Sequence, residues 1–169
     1  MVGDGNRPAL DRLYQLYRHD LSEFSGAWPG DDGLFASRLE RWLALPGTAA
    51  YLVEADGRLA GFAVVRPYEQ GGWSLAEFFV VRAARRGGVG GQAARLVLGR
   101  HPGSWNIAFQ EENPRAARFW RRLAASVDDE VREERVPVPG RPDLPPDVWL
   151  RLTVPAAAAQ SDGDGAAAS

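Results

Sequence analysis

Apolar residues near the N-terminus recur at intervals of three and four, the spacing that places them on one face of an α-helix. They are Leu10, Leu13, Tyr14, Tyr17, Leu21 and Phe24. A glycine-rich break follows over residues 26–33, and a second run with helical spacing begins near Asp31 or Asp32 and stops at Pro46-Gly47. The pattern therefore predicts two helices ahead of the first strand.

Three strand-like runs follow, at Ala49–Glu54, Leu59–Arg66 and Trp73–Val81. The dipeptide Asp56-Gly57 between the first two is a strong signal for a tight β-hairpin. The third run is apolar at every position except Ser74 and Glu77. A strand of this kind is expected in the middle of a sheet, covered on both faces.

Helical and strand-like runs alternate in the rest of the chain. We predict helices at Gln92–Arg100 and from Asn113-Pro114 to about Ala125, and strands at Trp105–Gln110, Val131–Val136 and Val148–Val154. This order predicts an α/β domain of the mixed, α+β kind, with helices on both faces of a mixed sheet. We expect one domain over residues 1–154. Residues 155–169 are mostly Ala, Gly, Ser and Asp without periodicity, which predicts a disordered tail.

Composition narrows the available chemistry. The 169 residues carry a formal net charge of −2, so no global basic field favours nucleic acid as a partner. There is no cysteine, which excludes a thiol nucleophile, and His19 and His101 are the only histidines, too few for a histidine-rich metal site. No apolar stretch has the length of a membrane span or the layout of a signal peptide. We therefore expect a cytoplasmic protein with no metal and no membrane partner.

The most informative segment follows the third strand. Two arginines precede a stretch in which four of five residues are glycine, and a helix is predicted immediately afterwards. Glycine lets the backbone approach a ligand closely, and the amides at a helix start attract anions. Arginine forks suit phosphate oxygens. These features predict a pyrophosphate site made of Arg85, Arg86, Gly87, Gly88, Val89, Gly90 and Gly91.

Two other interpretations of this segment stay open at the level of the residues. A glycine-rich surface loop with solvated arginines has the same features. The stretch from Gly88 to Ala93 also fits the dinucleotide fingerprint G-x-G-x-x-A, with Glu111 at about the distance of the usual ribose contact. Against a dinucleotide site, six residues separate Val81 from Gly88, and the preceding strands are joined by a hairpin.

Two motifs together resemble the GNAT superfamily of N-acetyltransferases. The first is Arg85-x-x-Gly88-x-Gly90 after a strand ending in Phe79-Val80-Val81, which resembles the superfamily's coenzyme A pyrophosphate loop. The second is Asn113-x-x-Ala116-x-x-Phe119-Trp120, which resembles its next signature downstream. The resemblance covers roughly Leu10 to Val154, and it is greatest to a poorly characterised bacterial branch, which indicates no substrate.

The resemblance implies acetyl-CoA as co-substrate, an acetyl group transferred to a primary amine of a small molecule or a protein, and a largely antiparallel sheet splayed at its middle. Backbone groups of Phe79, Val80 and Val81 would bind the pantetheine arm and polarise the thioester carbonyl. The amides of residues 86–91 would hold the pyrophosphate. The other implied cofactor contacts are Asn113, Ala116, Phe119 and Trp120. Because the chain has no cysteine, direct attack in a ternary complex is the simpler expectation.

Glu77 is the candidate catalytic base. It stands in an otherwise apolar strand, where a carboxylate loses part of its hydration and becomes a better proton acceptor for an ammonium substrate. The resemblance supports this role, since several members of the superfamily carry a glutamate on this strand. A carboxylate paired with an arginine or exposed on a sheet face is the other interpretation.

The first helix supplies three candidates for the acceptor pocket, namely Tyr17, His19 and Asp20, because the resemblance places acceptor specificity on the first helices. The other interpretation has Tyr17 in the core and His19 and Asp20 on the surface. A monomer and a homodimer are both compatible with the sequence.

Two departures from the superfamily pattern carry consequences. Trp120 stands where the superfamily often has a tyrosine that protonates the departing thiolate, and an indole does not release a proton at neutral pH. This favours, as the alternative function, a non-catalytic acyl-CoA-binding sensor or interaction domain. Residues 1–8 are also too short and polar to form the strand that precedes the first helix in the superfamily, so one sheet edge is expected to be bare or filled otherwise.

Overall fold

The computed structural model describes residues 1–138, 140 and 144–156. Of the predicted disordered tail, residues 157–169 lie outside the described residues. The helices and strands are α1 (Arg7–Ser25), α2 (Leu39–Leu43), β1 (Ala49–Ala55), β2 (Arg58–Pro67), β3 (Trp73–Val80), α3 (Val89–Gly99), β4 (Gly103–Phe109), α4 (Pro114–Ala125), β5 (Arg132–Val136) and β6 (Asp147–Val154). Short 3-10 helices precede α1 at Asp4–Asn6 and α3 at Arg82–Gly87.

The six strands form one sheet in the order β1-β2-β3-β4-β6-β5. Neighbouring strands are antiparallel except for β3 and β4, which run parallel because α3 forms the crossover between them. The predicted Asp56-Gly57 hairpin is present, and both residues have positive φ, as its tight turn requires. The predicted fold class, a mixed and largely antiparallel sheet with helices on both faces, is confirmed.

Strands β3 and β4 stay together only at their first residues. Residues 73–75 of β3 pair with residues 105–107 of β4, and in the described sheet the pairing stops there. The rest of β3 therefore has a strand partner on its β2 side alone. This divergence is the predicted splay at the middle of the sheet.

Each face of the sheet has its own core. On one face, helices α1 and α2 bury Tyr14 and Leu39 against Phe62 of β2. On the other face, helices α3 and α4 bury Leu98 and Trp120 against the core residues of β4, which include Ile107. Strand β3 lies under both layers, so it is the doubly covered central strand that its apolar sequence predicts.

The predicted start of the second helix is wrong. Helix α2 begins at Leu39 rather than near Asp31 or Asp32. The Gln15 side chain of α1 explains the difference, because it donates to the Phe35 carbonyl at 3.1 Å and accepts from the Phe35 amide at 2.8 Å. These bonds fix the backbone of residue 35 in a non-helical form.

Among the described residues, no strand precedes α1 at the β1 edge of the sheet. A single backbone hydrogen bond, from the Val2 amide to the Ala50 carbonyl at 2.7 Å, joins the first residues to this edge. None of the described helices is long and apolar enough to cross a membrane.

Candidate active site

A β-bulge in β3 decides which way Glu77 points. Val64 of β2 pairs with Glu77 and Val65 pairs with Leu75, so Ala76 is an extra residue. Leu75 packs in the α3/α4 core, and regular alternation would place Glu77, two residues later, on that same face. The inserted residue reverses the alternation, and Glu77 faces α1 and α2.

The Glu77 carboxylate is buried, with 7% of the residue exposed. Its Oε1 atom accepts hydrogen bonds from the Trp42 indole Nε1 at 3.0 Å and from the Tyr14 hydroxyl at 3.4 Å. The ion pairs of the described residues do not include Glu77. Among those residues it is thus neither exposed on the sheet nor neutralised by an arginine.

Two tyrosines on successive turns of α1 surround this carboxylate. Burial, and then the negative charge of Glu77, raise the pKa of Tyr14 and raise the pKa of Tyr17 well above its ordinary value. Both hydroxyls therefore stay protonated at neutral pH, and that of Tyr14 donates to the carboxylate. The Tyr17 ring also packs against Phe62 and Phe79, at centroid distances of 5.7 and 5.9 Å.

Neither Tyr14 nor Trp42 belongs to the predicted site, although both hold Glu77. Tyr14 is fully buried and occupies a helical core position, so its periodicity indicates packing only. Trp42 reaches Glu77 from α2, 35 residues away in sequence, and only the folded chain brings them together. Tyr14 also accepts from the Arg38 amide at 3.3 Å, which ties the segment before α2 to the same site.

The start of α3 has the properties predicted for an anion site. Gly88 adopts φ +75° where the 3-10 helix meets α3, a backbone conformation that residues other than glycine rarely adopt. The first amides of a helix have no acceptor within it. Among the described residues, no side chain caps α3, and the amides of residues 88–91 donate no turn or capping backbone bond. These amides are free to bind an anion.

The second motif lies beside this loop. A Cβ atom built on Gly90 would stand 3.6 Å from Phe119 Cε2 and 3.8 Å from Val80 Cγ2. Asn113 caps α4, accepting from the Ala116 amide at 3.0 Å. The two motifs and the end of β3 therefore border one region of the surface.

Trp120 lies in an aromatic cluster on the α3/α4 face. Its ring stands 5.2 Å from that of Phe78 and 4.7 Å from that of Phe119, both edge to face. Only 7% of Trp120 is exposed. Its environment is that of a packing residue.

The backbone at the end of β3 refines the predicted pantetheine contacts. The Val81 amide donates to the Ala60 carbonyl at 2.8 Å, so it points toward β2. Backbone groups alternate between the two sides of a strand, so Phe79 points the same way, and Phe78 and Val80 face the gap beside β4. The direction of these groups favours Phe78, which the sequence does not single out, over Phe79 and Val81.

Arg85 is anchored within the protein. Its Nε donates to the Val80 carbonyl at 2.8 Å, and its Nη2 is paired with Asp20 of α1. Arg82 binds the same carboxylate at 2.8 Å. Burial alone would raise the pKa of Asp20, but the hydrogen bonds from Arg85 and Arg82 outweigh it and lower the pKa.

These bonds place Asp20 beside the glycine loop, whereas His19 is exposed and stands edge to face with Phe35, at 6.2 Å. The acceptor roles of Asp20 and His19, and the phosphate roles of Arg85 and Arg86, stay predictions. Glu111, the ribose contact of the dinucleotide interpretation, is paired with Arg121 at 2.6 Å and with Arg135. Its carboxylate is already satisfied, which weakens that interpretation.

A second region of the surface is concave but distant from this chemistry. A groove of about 540 Å³ lies where β3 and β4 begin, and its lining includes Gly72, Asn106 and Arg151. Within the described part of the chain, no group of three or more His, Asp or Glu side chains is placed to hold a metal ion.

Comparison with known proteins fixes the family. The model of the Acetyltransferase (GNAT) family matches residues 10–125, more than half of the chain, and the chain therefore belongs to that family. The superfamily resemblance drawn from the two motifs is confirmed. No curated protein matches this sequence.

Solved structures share the fold at low sequence identity. An acetyltransferase from Thermus thermophilus has a TM-score of 0.65 at 16% identity, over 90% of this chain and 94% of that one. A ribosomal-protein-alanine N-acetyltransferase from Brucella melitensis has a TM-score of 0.58 at 19% identity, over 90% of this chain and 97% of that one. A GNAT family acetyltransferase from Elizabethkingia anophelis with acetyl-CoA bound has a TM-score of 0.56 at 12% identity, over 78% of this chain and 88% of that one.

Proposed function

We propose that this chain is an acetyl-CoA-dependent N-acetyltransferase that acetylates a primary amine of a small molecule or a protein. The observation that carries the proposal is the position of Glu77, a buried carboxylate without an ion-pair partner among the described residues, on the strand that diverges from β4. The free amides at the start of α3 follow the end of that same strand. Family membership and the acetyl-CoA-bound Elizabethkingia structure support the choice of co-substrate.

The chain's backbone would hold acetyl-CoA at two places. The amides of residues 88–91 would bind the diphosphate, with the positive end of α3 behind them; those of Arg86 and Gly87, also predicted from the sequence, lie within the 3-10 helix. The backbone of Phe78 and the Val80 amide would bond to the pantetheine arm in the gap that β4 leaves open, since the Val80 carbonyl is bonded to Arg85. The bound co-substrate supplies an acetyl thioester, and a β3 amide facing the gap would polarise its carbonyl.

Glu77 would accept the proton of the attacking amine. Trp42 and Tyr14 both bond to its Oε1, so the carboxylate is held in one orientation. The amine nitrogen then attacks the thioester carbon, the carbon–sulfur bond breaks, and the departing thiolate takes a proton from solvent. Trp120 has no part in that proton transfer, because its indole is buried among aromatic rings.

The assignment of residues 1–154 to one acetyltransferase domain belongs to the same proposal. Helix α1 and strand β6 lie at the two ends of this range, and both pack into the cores on the one sheet. Removing either would expose a core, so neither is an appendage to the site.

Binding and turnover test the proposal separately. Calorimetric titration with acetyl-CoA, CoA and NAD is expected to show binding of the first two only, and NAD binding alone would overturn the proposal. Thiol release in the presence of an amine panel then reports transfer. Binding of acetyl-CoA without transfer to any amine would favour the sensor, the function that Trp120 supports; a gain of activity in Trp120→Tyr would strengthen that conclusion.

A matched pair of glycine variants tests the diphosphate site. Gly88 and Gly57 both have positive φ and open space around a new Cβ, so alanine introduces similar strain at each, about 1–2 kcal/mol. Gly88→Ala is expected to weaken acetyl-CoA binding about tenfold, because it tilts the amides at the start of α3. Gly57→Ala, in the hairpin, should leave the affinity unchanged. Equal affinities in the two variants would reject this site.

A further inference from the structure

Arg18 of α1 is a half-buried cation that the fold leaves without a partner among the described residues. Its Nε atom is buried and makes no hydrogen bond there. A buried donor without an acceptor destabilises the folded chain, and for a charged group the penalty is larger. Such a group needs an acceptor, which either an ordered water or a bound ligand supplies.

The position of Arg18 places it beside the proposed reaction site. It follows Tyr14 by four residues, one helical turn, and so lies on the neighbouring part of the same helix face. The charge of Arg18 lowers the pKa of both Tyr14 and Tyr17, against the larger effects of burial and Glu77. The cation therefore stands close to the two hydroxyls that face the Glu77 carboxylate.

The two site carboxylates that could pair with Arg18, those of Asp20 and Glu77, are bonded to other side chains. Asp20 is held by Arg82 and Arg85 on the side of α1 toward the glycine loop. Glu77 receives the Tyr14 and Trp42 hydrogen bonds. Those engagements leave Arg18 without an ion-pair partner among the described residues, on the helix that carries Tyr14 and Tyr17.

We propose that Arg18 binds a carboxylate of the acceptor and that the acceptors of this enzyme are amino acids. This inference rests on the proposed function and specifies its substrate class. The ammonium group of a zwitterionic amino acid would meet Glu77, and its carboxylate would meet Arg18 through paired N–H donors. A plain amine would satisfy Glu77 and leave Arg18 in its unpaired state. The carboxylate thus selects the substrate and orients its amine.

Matched substrates isolate the carboxylate. Alanine, phenylalanine and γ-aminobutyrate are each compared with the amine that remains when the carboxylate is removed, namely ethylamine, phenethylamine and propylamine. The wild-type protein is expected to favour at least one amino acid over its matched amine by about tenfold or more in kcat/KM, the value of a charge-assisted hydrogen bond. The alanine analogue 1-aminoethylphosphonate tests whether the cation prefers a phosphonate instead.

Variants of two arginines on α1 complete the test. Arg18→Gln should reduce the preference ratio to about one, and Arg18→Lys should retain part of it because the charge remains. Arg12→Gln removes an exposed arginine from the same helix and should keep the wild-type ratio. Thermal unfolding of each variant checks that the fold is intact.

The outcomes separate the inference from the proposed function. Amines acetylated as fast as their matched amino acids, or a preference that survives in Arg18→Gln, would overturn the inference while the acetyltransferase function stands. Faster acetylation of the phosphonate than of alanine would overturn the carboxylate assignment. Failure to acetylate any amine or amino acid, with acetyl-CoA bound, would overturn the proposed function and the inference with it.

Discussion

Glu77 and Phe78 are adjacent on β3 and face opposite layers of the molecule. Phe78 joins Phe119 and Trp120 in an apolar cluster under α3 and α4, where the aromatic rings contact one another. Glu77 meets the hydroxyl of Tyr14 and the indole of Trp42 under α1 and α2, where a buried charge must be solvated by donors. One face of the strand therefore serves packing, and the other carries the carboxylate proposed for catalysis.

The difference shows how little sequence separates a core residue from a catalytic candidate. The bulge at Ala76 is the only register shift in the pairing of β3 with β2. Without it, the carboxylate would lie on the same face as Leu75, among the aromatic rings that cannot solvate it. The tyrosines of α1 would then face an apolar position.

The largest effect is expected on the packing face. Trp120→Ala should lower the free energy of unfolding by about 3–5 kcal/mol, because it opens a cavity in the α3/α4 core. Trp28→Ala is the matched control, since Trp28 is 88% exposed and should lose almost nothing. Denaturant-induced unfolding measures both, and equal losses would show that Trp120 does not support the core.

A pair of tyrosines sharpens the contrast between the faces. Tyr14→Phe removes a donor to Glu77 and should reduce kcat/KM about tenfold, the lower end of the value of a hydrogen bond to a charged group, because the bond is long at 3.4 Å. Tyr51→Phe removes a hydroxyl bonded to His101 on the packing face, at 2.8 Å, and should leave kcat/KM unchanged. Equal kinetic losses would mean that the Tyr14 hydroxyl beside Glu77 is no more important for catalysis than the Tyr51 hydroxyl on the packing face.

The smallest effects are expected in the pH dependence of stability. A residue on the α3/α4 face governs the loss of stability at acid pH (the acid limb), and a residue on the α1/α2 face contributes to the loss at alkaline pH (the alkaline limb). Burial, followed by the charge of Arg100, lowers the pKa of His101 below 6.5, so the unfolded chain binds the extra proton and stability falls as the pH drops below about 6.5. Tyr17 has a raised pKa, so the unfolded chain loses its proton first and stability falls as the pH rises above about 10.

Unfolding free energies measured from about pH 5 to about pH 11 check both limbs. His101→Gln should reduce the loss of stability at acid pH alone, and Tyr17→Phe should reduce the loss at alkaline pH alone, with a remainder contributed by Tyr14, whose pKa is also raised. If either substitution alters the limb assigned to the other residue, the titrations are assigned to the wrong groups.

Much of the fold follows from the sequence because its signals are local. The Asp56-Gly57 turn, the Asn113 cap and the apolar periodicity of α1 each act within a few residues, and each is present in the structure. The start of α2 depends on Gln15, twenty residues away from the backbone it holds, and helical periodicity does not register such a bond.

The sequence predicts the loop and the carboxylate of the site but not the direction in which that carboxylate points. Glycines and a charged residue in an apolar strand are visible in the sequence. The bulge at Ala76 depends on the pairing with β2, and the unpartnered state of Arg18 depends on three-dimensional neighbours. The engagement of Asp20 by Arg82 and Arg85 joins α1 to the glycine loop, across more than sixty residues.

The most direct test of the account is the single-turnover rate of acetyl transfer in Glu77→Gln at saturating acetyl-CoA. Glutamine keeps an oxygen for Trp42 and Tyr14 but does not accept the amine's proton, and Glu54→Gln on the exposed side of β1 is the control. We predict a rate about a hundredfold lower in Glu77→Gln, with unchanged acetyl-CoA affinity and a wild-type rate in Glu54→Gln. A wild-type rate in Glu77→Gln would contradict the account.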